Sequence, residues 1–151
     1  MKILFLDIDG VLNSRQYDRQ KAQDDGNIDP TRLKLVAEIL AQTGARVVLT
    51  STWRLHWCPD GASTDGIGRE LQAFFASHGV ELYDKTPILG DRAKEVGAWL
   101  DAHPEVTHFA ILDDIKFGWG ELDSHVIKTD YLIGRGLMEK HVSAAIALLQ
   151  A

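Results

Sequence analysis

Cysteine is almost missing: Cys58 is the only one in 151 residues, so no disulfide can form within the chain. Its setting, HWCPDG, lacks a partner histidine motif, which argues against a catalytic thiol. No apolar run approaches the ~20 residues of a membrane span. The opening MKILFLDIDG is too short in its apolar part, and too acidic, for a signal peptide, so a cytoplasmic protein is expected. Basic charge is also scarce, with 16 Lys and Arg against 22 Asp and Glu and a net charge of -6. That balance argues against a broad basic face, and no stable nucleic-acid complex is expected. It leaves room for a small phosphate pocket, because net charge does not fix a local field. The six histidines lack metal-ligand spacing, so no zinc site is expected. Repeats, low-complexity tracts and linkers are absent, and residues 1–151 read as one domain.

What is present is a globular balance, 45% hydrophobic and 25% charged, long enough to bury a core unaided. KILFLD at residues 2–7 is a near-continuous apolar run, as in a central parallel strand covered on both faces. Residues 13–28 are polar and aperiodic, predicting a loop or flap. Asp29 and Pro30 then open a helix with Leu33, Val36, Ile39 and Leu40 as its stripe and Gly44 as its stop. ARVVLTS is a second strand, residues 52–66 a loop, and Leu71, Phe74 and Phe75 mark a helix ending near Gly79. VELYD, HFAILDD and HVIKTD read as three further strands, with helices over 92–103 and 137–149. Strand and helix alternate throughout, which predicts an open α/β sheet of five parallel strands with helices on both faces.

Ligands of such sheets lie beyond the carboxyl ends of the strands. Asp7 and Asp9 follow the first strand, Thr50 and Ser51 end the second, and Asp113 and Asp114 end the fourth. Carboxylates gathered on one edge repel each other unless a cation joins them, and a few hard oxygen ligands suit magnesium, which then carries substrate phosphate. A carboxylate beside such an ion can attack phosphorus and become an aspartyl-phosphate. Gly10 lets the chain turn so that Asp7 and Asp9 address one phosphoryl group, and Thr50 offers it a hydroxyl. A lysine or arginine is still needed to balance its charge.

DIDGVLN resembles the first motif of the haloacid dehalogenase (HAD) superfamily, VVLTS its second and AILDD its fourth, in that order. LTSTWR, RAKEVGAWLD and IKTDYLIGRGL are similar to segments of the small HAD domain of Swiss Army Knife RNA repair proteins. The resemblance implies a HAD-like Rossmannoid three-layer fold with strand order 5-4-1-2-3, capless or with a small flap. It implies a magnesium-dependent phosphatase with Asp7 as nucleophile and metal ligand. Asp9 is the implied general acid and base, with its carbonyl on the metal. Thr50, or Ser51 if the strand is offset, holds the phosphoryl group, and Asp113 with Asp114 completes the metal site. The basic residue of the third motif is Arg92, Lys94 or Lys85, with Arg92 favoured because it opens the helix beneath the fourth strand.

Trp53 and Arg54 admit two readings: a clamp on substrate, the indole stacking and the guanidinium holding a second phosphate, or packing and an ion pair. Trp57 and Trp119 either rim the pocket or pack under loops, whereas Trp99 falls on an inward helix face. With no room for a folded cap, the site can admit a large substrate, and the resemblance implies a phosphomonoester on a small molecule, a nucleotide or a nucleic-acid end. The competing reading is a binding module without turnover, either a phosphoryl-accepting receiver or a degenerate HAD domain. Receivers carry the acidic pair after the first strand and the accepting Asp later, the reverse of the order here.

Overall fold

Ile3, Leu4, Phe5 and Leu6 are all fully buried, and they build strand β1 (Lys2–Leu6) at the centre of a sheet. The computed structural model describes residues 1–20, 28–133 and 135–151. Strands β2 (Arg46–Leu49), β3 (Leu82–Lys85), β4 (His108–Asp113) and β5 (Val126–Lys128) join β1 in the order β3-β2-β1-β4-β5, all parallel. This is the expected five-four-one-two-three order viewed from the other edge.

Side chains of successive strand residues point to opposite faces, and two cores result. Leu4, Leu6, Val47, Leu49 and Leu112 pack with helices α2 (Pro30–Thr43), α3 (Gly66–Ser77) and α5 (Glu139–Gln150) through Val36, Phe75 and Val142. Ile3, Phe5, Val48 and Ile111 pack on the other face with Val96 and Trp99 of helix α4 (Arg92–Asp101) and with Trp119. There the Phe5 and Trp99 rings meet edge to face at 5.5 Å.

The helix boundaries follow local chemistry. Asp29 accepts the Thr31 N–H at 2.9 Å, Pro30 occupies the first turn, and Gly44 closes α2 at φ 72° with its N–H on Leu40 O. Asp65 and Asp91 cap α3 and α4 by accepting N–H groups of Gly68 and Lys94. Two expected loops contain helix. Thr52–His56 forms a 3-10 turn, capped by Ser51 Oγ, which accepts the Trp53 N–H at 3.2 Å. Within the expected flap of 13–28, Arg15–Gln20 is a short helix, α1, opened by Ser14 Oγ accepting the Tyr17 N–H. Neither carries apolar periodicity, so only these polar caps announce them. The flap's residues 21–27 lie outside the described residues. No described helix is long and apolar enough to cross a membrane.

Candidate active site

Register builds the site. Leu6 pairs with Leu49 on one side and Leu112 on the other. The next residue of each strand path, Asp7, Thr50 and Asp113, therefore stands abreast at the carboxyl edge. The Asp7 N–H donates to Leu112 O at 3.1 Å and the Thr50 N–H to Leu6 O at 3.0 Å, so the last rungs of the sheet hold both residues. All three are buried, while Asp114 is half-buried.

One carboxylate oxygen from each of Asp7, Asp113 and Asp114 lies within 4.8 Å of the others. Burial first, then the charge of Asp113, pushes the Asp7 carboxyl up to about 7 from 3.8. Asp113 is raised too, by burial foremost and against the pull of Arg92. Three hard oxygen donors gathered within 4.8 Å fit a divalent cation such as magnesium.

Arg92 is the basic residue that reaches this cluster. Its Nη1 donates to Asp113 Oδ2 at 2.7 Å and to Thr50 Oγ1 at 3.3 Å, and lies 3.4 Å from Asp7 Oδ1. Burial opposes its charge, but Asp7, Asp113 and Glu95 outweigh burial and hold its pKa above the ordinary arginine value. Lys94 is exposed, and no ion pair among the described residues joins it to the acids. Lys85 turns instead to backbone carbonyls of Arg54 and Trp57, at 3.1 and 2.6 Å.

Of the two hydroxyls ending β2, Thr50 faces the cluster and Ser51 is spent on the cap of the following turn. Arg54 does not reach outward as a clamp. It is buried and donates to the carbonyls of Thr50, Ser51, Thr86 and Pro87, with Glu95 3.0 Å from its Nη2. A guanidinium placed among these buried loop carbonyls gives them the hydrogen-bond donors that burial requires. Trp53 packs against the larger core, while Trp57 and Trp119 are buried with their N–H groups on Gln72 Oε1 and Ile115 O. Trp57 and Trp119 thus brace the loops that carry them.

Gly10 sits at φ 86°, and a Cβ there would fall 2.2 Å from Asp114 Oδ2, so only glycine lets the acidic pair close over this turn. Asp9 is exposed. Asn13 Nδ2 donates to its Oδ1 at 2.9 Å while Asn13 Oδ1 accepts the Gly10 N–H at 2.9 Å. Thr129 Oγ1 donates to Gly10 O at 2.6 Å and ties the turn to the end of β5. Asn13, Thr129 and Glu95 were not among the site residues expected from sequence. Asn13 closes the DIDGVLN motif and Glu95 lies three residues after Arg92, and these spacings were the available signals.

A family model described as the HAD domain in Swiss Army Knife RNA repair proteins matches residues 3–142. The chain belongs to this HAD family. No curated protein matches the chain. The matched span of the HAD domain holds every residue of the cluster and its supports. HAD domains belong to a superfamily of hydrolases and phosphatases that generally uses magnesium, and the buried Asp7 and Asp113 with the half-buried Asp114 could hold such an ion.

Proposed function

We propose that this HAD domain is a magnesium-dependent phosphomonoesterase that passes the phosphoryl group through Asp7. The observation that carries the reading is the placement of Arg92 Nη1 among Asp7, Thr50 and Asp113, within 3.4 Å of all three. It sets a cation beside the nucleophile where charge on a transferring phosphoryl group has to be balanced.

Asp7, Asp113 and Asp114, with the Asp9 carbonyl, would hold magnesium, which neutralises the acids and the phosphate oxygens when bound. The Asp7 carboxylate attacks phosphorus, and the ester oxygen departs with a proton from Asp9. Asp9 then takes a proton from water, which attacks phosphorus, releases phosphate and restores Asp7. Arg92 N–H groups and the Thr50 hydroxyl hold the phosphoryl oxygens through both displacements. Asp9 suits the proton-transfer task because it is exposed to water and held by Asn13. Lys94, Ser51, Trp53 and Arg54 take no part in this scheme.

The substrate in this reading is a phosphomonoester on a small molecule, a nucleotide or an RNA end, the last in keeping with the family's RNA-repair setting. Leu55, Ile88, Leu89 and Phe117 are exposed on loops that follow β2, β3 and β4, the same edge as the acids, which supports an accessible site. In this reading residues 1–151 act as one catalytic domain in the cytoplasm, where the lone Cys58 stays reduced.

Release of phosphate from p-nitrophenyl phosphate, nucleotides and end-phosphorylated oligonucleotides, with magnesium and with chelator, tests it. Magnesium-dependent release that Asp7→Asn abolishes is expected. A magnesium-loaded protein that binds phosphate yet never turns over any of these esters would favour the binding module.

A further inference from the structure

Resting on the reading of Arg92 as the phosphoryl-facing cation, we propose that Glu95 is a positioning residue for the reaction, tying Arg92 to the buried Arg54 so that the Arg92 guanidinium points at the phosphoryl site.

Glu95 is buried, and its two oxygens do different work. Oε2 accepts the Leu89 N–H at 2.8 Å and lies 3.0 Å from Arg54 Nη2. Oε1 lies 3.6 Å from Arg92 Nε. Arg92 and Glu95 stand three residues apart on α4, so one helix face presents both. The opposite edge of the same guanidinium meets Asp113, Thr50 and Asp7 through Nη1. A guanidinium is planar and rigid, so holding its Nε edge sets the direction of Nη1.

Arg54 makes the hold firm. Its contacts with carbonyls of Thr50, Ser51, Thr86 and Pro87 fix it to the ends of β2 and the loop after β3. Glu95 is therefore anchored to the frame that carries Thr50. It also separates two arginine charges: burial foremost lowers the Arg54 pKa, Arg92 lowers it further, and Glu95 opposes both. Arg54 and the Leu89 N–H both use Oε2, which leaves Oε1 facing Arg92.

The test is a double-mutant cycle on the magnesium-loaded protein, using Glu95→Gln, Arg92→Ala and the pair. Inorganic phosphate affinity, turnover of p-nitrophenyl phosphate and magnesium affinity are measured for each. Glu95→Gln is expected to weaken phosphate binding and lower kcat by roughly ten- to hundredfold, the range seen when a partner that orients a functional ligand is lost. Magnesium affinity stays the same, and in the Arg92→Ala background the same change costs less than about twofold. Equal losses in both backgrounds would show that Glu95 acts on the fold alone and would overturn the inference, as would a Glu95→Gln protein equal to its parent. Glu95→Asp keeps the negative charge but draws the carboxylate back by one methylene from both arginines. It is run through the same cycle, so the outcome stands even if the Gln variant does not fold. A parent protein that neither binds phosphate nor turns over would instead defeat the reading of the site itself, a result distinct from a working parent with an indifferent Glu95.

Discussion

Asp7→Asn should make the metal-free protein more stable, although it removes the proposed nucleophile. The folded protein holds the Asp7 carboxyl at about 7 against an ordinary 3.8, through burial and the neighbouring Asp113. Because the folded pKa is raised, the folded state binds more protons between those two values, and stability falls as pH rises through about 7. At ~1.4 kcal/mol per tenfold change in proton affinity, ionising Asp7 in the folded state costs about 4 kcal/mol by pH 8. At pH 5 the folded carboxyl is protonated, and the cost is only about 2 kcal/mol. Asparagine keeps the shape and never ionises, so it escapes this cost. A chain of this size gains ~2–4 °C per kcal/mol, and the variant should melt on the order of 8–16 °C higher at pH 8 in chelator. Its advantage should shrink on going to pH 5. Thermal unfolding of both proteins with EDTA at the two pH values measures it. An Asn variant less stable than its parent at pH 8, or an advantage that does not grow with pH, would refute the reasoning.

Gly10→Ala should weaken magnesium binding by at least tenfold in calorimetry, because the new Cβ would displace Asp114 and the backbone sits at φ 86°. Arg92→Ala should lower kcat/KM by roughly 10²–10³-fold, the scale for removing one electrostatic donor, while Lys94→Ala leaves it within twofold, about the scatter of the assay. Reversal of that ranking would transfer the basic role to Lys94. Magnesium affinity should fall as pH drops below about 7, because protons compete for Asp7, by up to ~tenfold per pH unit for one displaced proton. Isothermal titration from pH 8 to pH 6 reads this directly.

The sheet was legible because β1 announces itself twice: as an apolar run and as a strand ending in acids. The alternation of strands and helices then left little choice of topology. Asp7, Thr50 and Asp113 were legible for the same reason, since residues at equivalent strand ends must stand abreast in a parallel sheet. Arg92 was harder, because a helix N-terminus can aim several side chains and the end of β3 offers Lys85 as well, so only packing separates Arg92, Lys94 and Lys85. Arg54 had two open readings, and the internal ring of loop carbonyls that claims it has no sequence signature. The inward turn of Glu95 was hidden too, as an acid on a helix reads as solvated until its arginine partners are located.

The central claim is that phosphoryl transfer passes through Asp7, and the stereochemical course at phosphorus tests it most directly. A phosphorothioate monoester made chiral at phosphorus with oxygen isotopes is hydrolysed by the magnesium-loaded protein in isotopically labelled water. The configuration of the released thiophosphate is then read by NMR. Two successive in-line displacements, first by Asp7 and then by water, give overall retention. Inversion would mean that water attacks the ester directly and that Asp7 serves only to bind the metal.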